Sequence, residues 1–207
     1  MSSSRQHLVA IIHFFNHKSW SPATSTNYSF RNSAPNSNSY TISKSGVDKQ
    51  YFTEHDFLEI DAQGTPLPSY CTVKPSAETG IHTMLYAQYA DCEAILHTHS
   101  LLSTVLSAKY LQEGGIYLRD LEVLKAIRGI LTHEAEVFVP IFQNSQDIAA
   151  LSQDIKVYLD QNPNTFGFLL AGHGLYAWGN SLAEAKRHIE AFEFLFQCFE
   201  KLTPATH

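Results

Sequence analysis

Several classes of function find little support in this sequence. Its 207 residues hold 14 Lys and Arg against 20 Asp and Glu, a formal charge of −6. A chain that lives on nucleic-acid phosphates carries the opposite balance. No nucleic acid and no anionic membrane surface is therefore expected as a partner. Cysteine is scarce: Cys71, Cys92 and Cys198 are widely spaced, odd in number and form no C-x-x-C pair. That excludes a dense disulfide framework and points to reduced thiols in a cytoplasmic protein. No apolar run approaches the ~20 residues a spanning helix needs. Residues 8–12 are apolar but are broken by His13 and follow no basic cluster, unlike a secretory signal. Internal repeats and charge blocks are missing too. The glycines at 114–115 and around His173 do not have the spacing of a P-loop or a dinucleotide fingerprint.

What the chain has in excess is histidine, 11 in 207 residues. Histidine is the commonest metal ligand and the usual proton carrier near neutral pH. Apolar residues make up 44% of the chain, enough for one folded domain over 1–207, with residues 1–4 as a loose polar tail.

Periodicity then divides the chain. Leu8, Ile11, Ile12 and Phe15 recur at helical spacing. Residues 28–32 and 40–43 alternate like short strands, joined by an Asn- and Ser-rich connection over 33–39. Thr53 and Asp56 can open a helical turn before an extended segment at 57–61, which Gln63-Gly64 turns back. Helices are predicted over 79–90, 101–110, 121–130 and 146–159. Strands are predicted over 94–96, at Val137 and Val139 with Pro140 ending that strand, over 165–170 and over 175–178. The last helix opens with a Ser181/Glu184 capping box and carries a stripe of Leu182, Ala185, Ile189, Phe192, Phe196 and Phe199. Strands alternating with helices, some joined by short turns, predict an α/β domain with a mixed, largely antiparallel sheet.

Two motifs carry chemistry. In Ala94-Ile95-Leu96-His97-Thr98-His99, residues i and i+2 share one face of a strand, so His97 and His99 aim two imidazoles at one point. Such a pair can equally be two unrelated histidines, each satisfied by a hydrogen bond. In Leu170-Ala171-Gly172-His173-Gly174, a histidine flanked by glycines ends a buried strand where the backbone turns sharply. Three histidines with an open fourth position are the pattern of a catalytic zinc site. A carboxylate is then needed to move protons, and Glu78 and Glu122 are the candidates. His82, His133, Cys71 and Cys92 fall outside both motifs.

These segments, taken with Thr26-Asn27-Tyr28-Ser29-Phe30-Arg31, Ser45-Gly46 and the Lys74 to Glu78 segment, resemble the class II aldolase superfamily in kind and in order over residues 20–180. Within it the chain is most similar to the dehydratase branch that acts on methylthioribulose 1-phosphate. That similarity is dense over 58–68, 74–86, 132–148 and 168–179, where it includes Val139-Pro140-Ile141-Phe142 and Leu175-Tyr176-Ala177-Trp178-Gly179. The resemblance implies a three-layer α/β/α domain, a homotetramer, and one Zn2+ per subunit on His97, His99 and His173. It implies a sugar-phosphate substrate whose phosphate is held by Thr26, Asn27, Ser45, Gly46, Ser76 and Thr79. The dehydratase branch places its acid–base glutamate at Glu122, and the aldolase branch places it at Glu78. Both are present, so aldolase and epimerase chemistry stay open beside dehydration, and a non-catalytic interaction module stays as a remote alternative. Two positions depart from the pattern: Thr26 stands where the wider family commonly has glycine, and Ala171 where the dehydratase branch has arginine. Arg31, Lys44, Lys49 and Lys74 lie close to these segments and can oppose the acidic whole.

Overall fold

The computed structural model describes residues 3–32 and 38–203. Among them eight strands form one sheet in the order β3-β2-β1-β4-β8-β7-β6-β5. The strands are β1 (Asn27–Arg31), β2 (Ser39–Ser43), β3 (Phe57–Asp61), β4 (Ala94–Thr98), β5 (Gly115–Arg119), β6 (Glu136–Phe142), β7 (Gly167–Leu170) and β8 (Gly174–Gly179). Of the strand pairs, β6 with β7 is parallel and the others are antiparallel. The sheet is thus mixed and largely antiparallel, as expected.

Helices cover both faces. The helices α1 (Ser4–His17), α3 (Leu101–Lys109) and α5 (Leu182–Leu202) pack on one side, over Tyr28, Leu96, Leu175 and Ala177. On the other side, α2 (Thr79–Gln88) and α4 (Ile148–Gln161) pack over Ile42, Ile95, Phe168 and Trp178. This alternation within each strand produces the three layers. The α5 stripe is buried at Ala185, Ile189, Phe192 and Phe196. Each large apolar side chain so buried contributes roughly 1.5–3 kcal/mol, which anchors the longest helix across the middle of the sheet.

Several local expectations are corrected. Ser3 and Ser4 do not belong to a loose tail: Ser3 caps α1 in a capping box with Gln6, and Ser4 is already helical. Of the 33–39 connection, residues 33–37 lie outside the described residues. The helix expected over 121–130 is a single 3-10 turn, Glu122–Ala126. Leu124 and Ile127 are buried, but Asp120 and Gly129 have left-handed backbone and Leu121 offers no side-chain cap, so the helix neither starts nor extends. Pro140 does not end its strand, which runs on to Phe142. The β7 ladder begins only at Ile141, so Pro140 lies beyond its end, where a missing N–H is tolerated. Strand β5 was not expected at all; its pattern of buried Ile116 and Leu118 against exposed Tyr117 and Arg119 is too short to stand out. The Ser181 cap forms, but the Glu184 carboxylate receives the Asn180 N–H and Arg128 rather than closing the box.

Candidate metal centre and anion cleft

Strand β4 ends with His97 buried on the α2 side of the sheet, and His99 follows just past the strand. The His99 N–H donates to Trp20 O at 2.7 Å, which holds it close to the end of β4. His173 comes from the tight connection between β7 and β8. Gly172 takes φ +62 there, and a Cβ on Gly174 would stand 2.1 Å from Thr98 O. Gly172 therefore takes the turn without strain, and Gly174 permits a close approach that any Cβ would block. From α3, Ser107 Oγ accepts the Gly172 N–H at 3.1 Å and Thr104 Oγ1 donates to His173 O at 2.8 Å.

The three imidazoles converge. His97 Nε2 lies 2.6 Å from His99 Nε2 and 3.4 Å from His173 Nε2. The ligand atoms of all three lie within 4.8 Å of one another. His97 Nδ1–H donates to Leu175 O at 2.9 Å, which leaves its Nε2 as a lone pair facing the other rings. Burial, with the neighbouring His173, pushes the His97 pKa well below the usual imidazole value; burial and the same neighbours push His99 down to about 2. A neighbouring ring's N–H can donate to the His97 lone pair, but a single cation satisfies all three converging nitrogens at once. The donor set thus fits a metal ion, and three histidines leave a coordination position open.

Glu78, just before α2, completes the cluster. Its Oε1 is 3.1 Å from His173 Nε2 and its Oε2 is 3.4 Å from His97 Nε2. Tyr176 OH donates to Oε2 at 2.6 Å, and Asn27 Nδ2 donates to the same oxygen at 2.7 Å. Burial, and next the Glu78 charge, raise the Tyr176 pKa well above the usual phenol value, so this hydroxyl stays a donor. Tyr176 also stacks on His97, with ring centroids 3.9 Å apart.

A cleft of about 190 Å³ opens beside His99 and Glu78, lined by Thr26, Asn27, Ser45, Gly46 and Ser76. Two distant loops meet there because Lys44 bridges to Pro75 and the Ser45 N–H donates to Lys74 O at 3.3 Å. Thr26 has φ +73, the left-handed conformation that explains why glycine suits this position. Asn27 lines the cleft, but its side-chain amide is already committed to Glu78 and His82. Thr79 does not line it: its hydroxyl donates to Ser76 O at 2.7 Å and closes the turn that presents Ser76 and Glu78. Hydroxyls and turn backbone around an open space suit an anion.

Glu122 lies elsewhere. It is 69% exposed, paired with Lys125, and its carboxylate is 3.8 Å from His133. The Lys125 hydrogen bond holds its carboxyl below the ordinary value. Of the two glutamates, a single chain brings only Glu78 to the histidines.

The family model of the class II aldolase and adducin N-terminal domain matches residues 6–199. The chain belongs to this family. It is 44% identical over 200 residues to a methylthioribulose-1-phosphate dehydratase of Yersinia pestis, covering 96% of this chain and 87% of that protein. It is 41% identical over 196 residues to one of Picosynechococcus, covering 95% and 91%. The solved L-fuculose-1-phosphate aldolase of Thermus thermophilus superposes with a TM-score of 0.72 at 22% identity, covering 95% of each chain. That likeness shows a shared class II aldolase fold.

Three further residues of this class II aldolase site were not read from the sequence as site residues. Tyr176 and His82 sit in apolar-looking segments. Lys49 was read only as a nearby charge, yet it is fully buried, and its ammonium donates to Val47 O at 2.8 Å and Thr24 O at 3.5 Å, behind the cleft. Burial holds its pKa down to about 8, against the opposing pull of Asp48 and Asp56. Only the buried surroundings give such residues away, and a sequence does not print them. Among the described residues no helix is long and apolar enough to cross a membrane.

Proposed function

We propose that this protein is a hydro-lyase that dehydrates 5-methylthioribulose 1-phosphate to 2,3-diketo-5-methylthiopentyl 1-phosphate, a step of methionine salvage. Identity of 41–44% to curated dehydratases over nearly the whole chain supports the substrate. The observation that carries the chemistry is Glu78 hydrogen-bonded beside three converging histidines. His97, His99 and His173 would hold Zn2+, which would supply Lewis-acid polarisation of the substrate's C2 ketone and so acidify the C3 hydrogen.

The chain's own residues then do the rest. Thr26, Ser45, Gly46 and Ser76 hold the phosphate, with Asn27 and Thr79 shaping the cleft. Lys49 supplies buried positive charge behind it. Glu78 takes the C3 proton. The C4 hydroxyl leaves with a proton as water, and the resulting enol ketonises to the diketone. Hydroxide is a poor leaving group, so that second step needs an acid. Glu122 is assigned to it. Because its carboxylate is on the surface of its own chain, the assignment requires an oligomer in which a neighbouring subunit receives it, and the homotetramer expected from the family resemblance is our reading. Three free cysteines fit a cytoplasmic location.

The placement of Glu78 favours one second reading. The same proton transfer next to a C3–C4 bond suits an aldolase, or a 4-epimerase that rejoins the fragments. Product mass separates them. Zinc-loaded protein given 5-methylthioribulose 1-phosphate is expected to release one water. A three-carbon phosphate plus an aldehyde would replace dehydration by aldol cleavage.

A further inference from the structure

His82 is fully buried on α2, belongs to neither histidine motif, and lies in the middle of an unbroken hydrogen-bond chain that ends on Glu78. Tyr86 OH is 2.7 Å from Ser29 Oγ, and Ser29 Oγ is 2.7 Å from His82 Nδ1. His82 Nε2 is 2.5 Å from Asn27 Oδ1, and Asn27 Nδ2 is 2.7 Å from Glu78 Oε2. Ser29, His82, Tyr86 and Asn27 are all buried between β1 and α2.

The direction of every bond follows from its last member. Asn27 turns its NH2 toward Glu78 Oε2, which also accepts from Tyr176, and so turns its oxygen toward His82. His82 must then donate from Nε2. A neutral imidazole has one N–H, so Nδ1 accepts, the Ser29 hydroxyl donates to it, and Ser29 in turn accepts from Tyr86. Burial, opposed only by the Glu78 charge, pushes His82 down to about 4, which keeps it neutral. Tyr86 anchors the far end by stacking on Tyr40, centroids 4.1 Å apart, while Arg31 donates to the Tyr86 carbonyl at 3.1 Å.

We propose that His82 is a positioning residue: through the chain Tyr86–Ser29–His82–Asn27 it locks the Asn27 amide so that Glu78 Oε2 is held by Asn27 and Tyr176, leaving Oε1 as the working oxygen. The inference rests on Glu78 being the acid–base group of the proposed reaction. Without His82 the amide can rotate, placing an oxygen against the carboxylate and releasing it from its working pose. A single charge-assisted hydrogen bond is worth about 10- to 100-fold.

The test begins with nitrogen-15 NMR of the metal-loaded wild-type protein, which reads the tautomer without turnover. His82 is expected as the Nε2–H form at neutral pH; an Nδ1–H form, or a cation, overturns the chain. His82→Phe is then expected to lower kcat about 10- to 100-fold, with KM within about threefold and metal content unchanged. His82→Gln, which restores a donor near Nε2, is expected to recover most of the loss. Ser29→Ala removes the donor to Nδ1 without opening the His82 site and serves where His82→Phe does not fold. In a Glu78→Gln background His82→Phe should add nothing. A silent His82→Phe beside a damaging Glu78→Gln sinks the relay alone. A silent Glu78→Gln sinks the acid–base assignment and, with it, this role for His82.

Discussion

Two glutamates of one chain, Glu78 and Glu122, hold opposite places in the molecule. Glu78 has 14% of its side chain exposed and is fixed by residues from β1, β8 and the β7–β8 connection. Glu122 has 69% exposed and is met by Lys125 of its own turn and by His133. One carboxylate is held against a histidine cluster that can hold a metal ion. The other is paired as most surface acids are, in an exposed contact that water and salt screen. The difference teaches that residue type and local spacing name candidates for proton transfer, whereas the number of elements that converge on a side chain decides what it can reach. A carboxyl kept ionised by a neighbouring ammonium is also poorly placed to give up a proton, unless its surroundings change on assembly.

The comparison can be broken at its base by removing the metal cluster. His97→Ala is expected to abolish bound zinc and turnover together, as measured by metal analysis and product formation. Full activity in that variant would detach Glu78 from any metal-assisted role. Next comes the pair itself. Glu78→Gln is expected to reduce kcat about 10²- to 10⁴-fold with zinc retained. Glu122→Gln is expected to leave the melting temperature essentially unchanged, because its only partners in its own chain are the exposed Lys125 and His133. It should still reduce turnover at least tenfold if assembly delivers it to a neighbouring site. Normal turnover with zinc bound would take Glu122 out of the reaction and leave Glu78 alone.

A finer cut is Tyr176→Phe, which removes one of the two donors on Glu78 Oε2 while keeping the ring stacked on His97. A loss of about 1.5–3 kcal/mol in transition-state stabilisation is expected from kcat. An unchanged kcat would mean that Asn27 alone suffices. The smallest effect concerns Lys49 behind the cleft. Its folded pKa of about 8 lies below the ordinary 10.5, so the folded state pays for the charge at all pH values below about 8. Between about 8 and 10.5 the folded state loses that proton before the unfolded chain does, and stability rises with pH. The wild-type Tm should therefore climb relative to Lys49→Met on going from about pH 7 to about pH 9.5. A difference that stays flat would show that the ammonium is solvated.

Much of the fold was legible because periodicity is local. The strand ending in His97, the glycine-flanked turn at His173 and the apolar stripe of α5 follow from spacing alone. The failures share a cause. The segment after Leu121 has helical spacing but no cap, and the left-handed Asp120 and Gly129 bound it, so tertiary packing of Leu124 and Ile127 set its shape. Strand β5 pairs only with β6, and its alternation spans too few residues to signal.

By itself the sequence determined that three histidines end on strand tips with glycines beside the third, that the sheet is mixed, and that a family resemblance runs along the chain. The reason is short range: same-face geometry on a strand and turn chemistry at a glycine need no distant partner. Only the tertiary structure decided that Glu78 rather than Glu122 meets those histidines within one chain, and that Asn27 serves Glu78 with its amide. It alone decided that His82 and Tyr176 stand behind the site. Those outcomes depend on β1, β4 and β8 lying side by side under α2, and an arrangement of that kind is set by how whole layers bury their apolar faces rather than by neighbours along the chain.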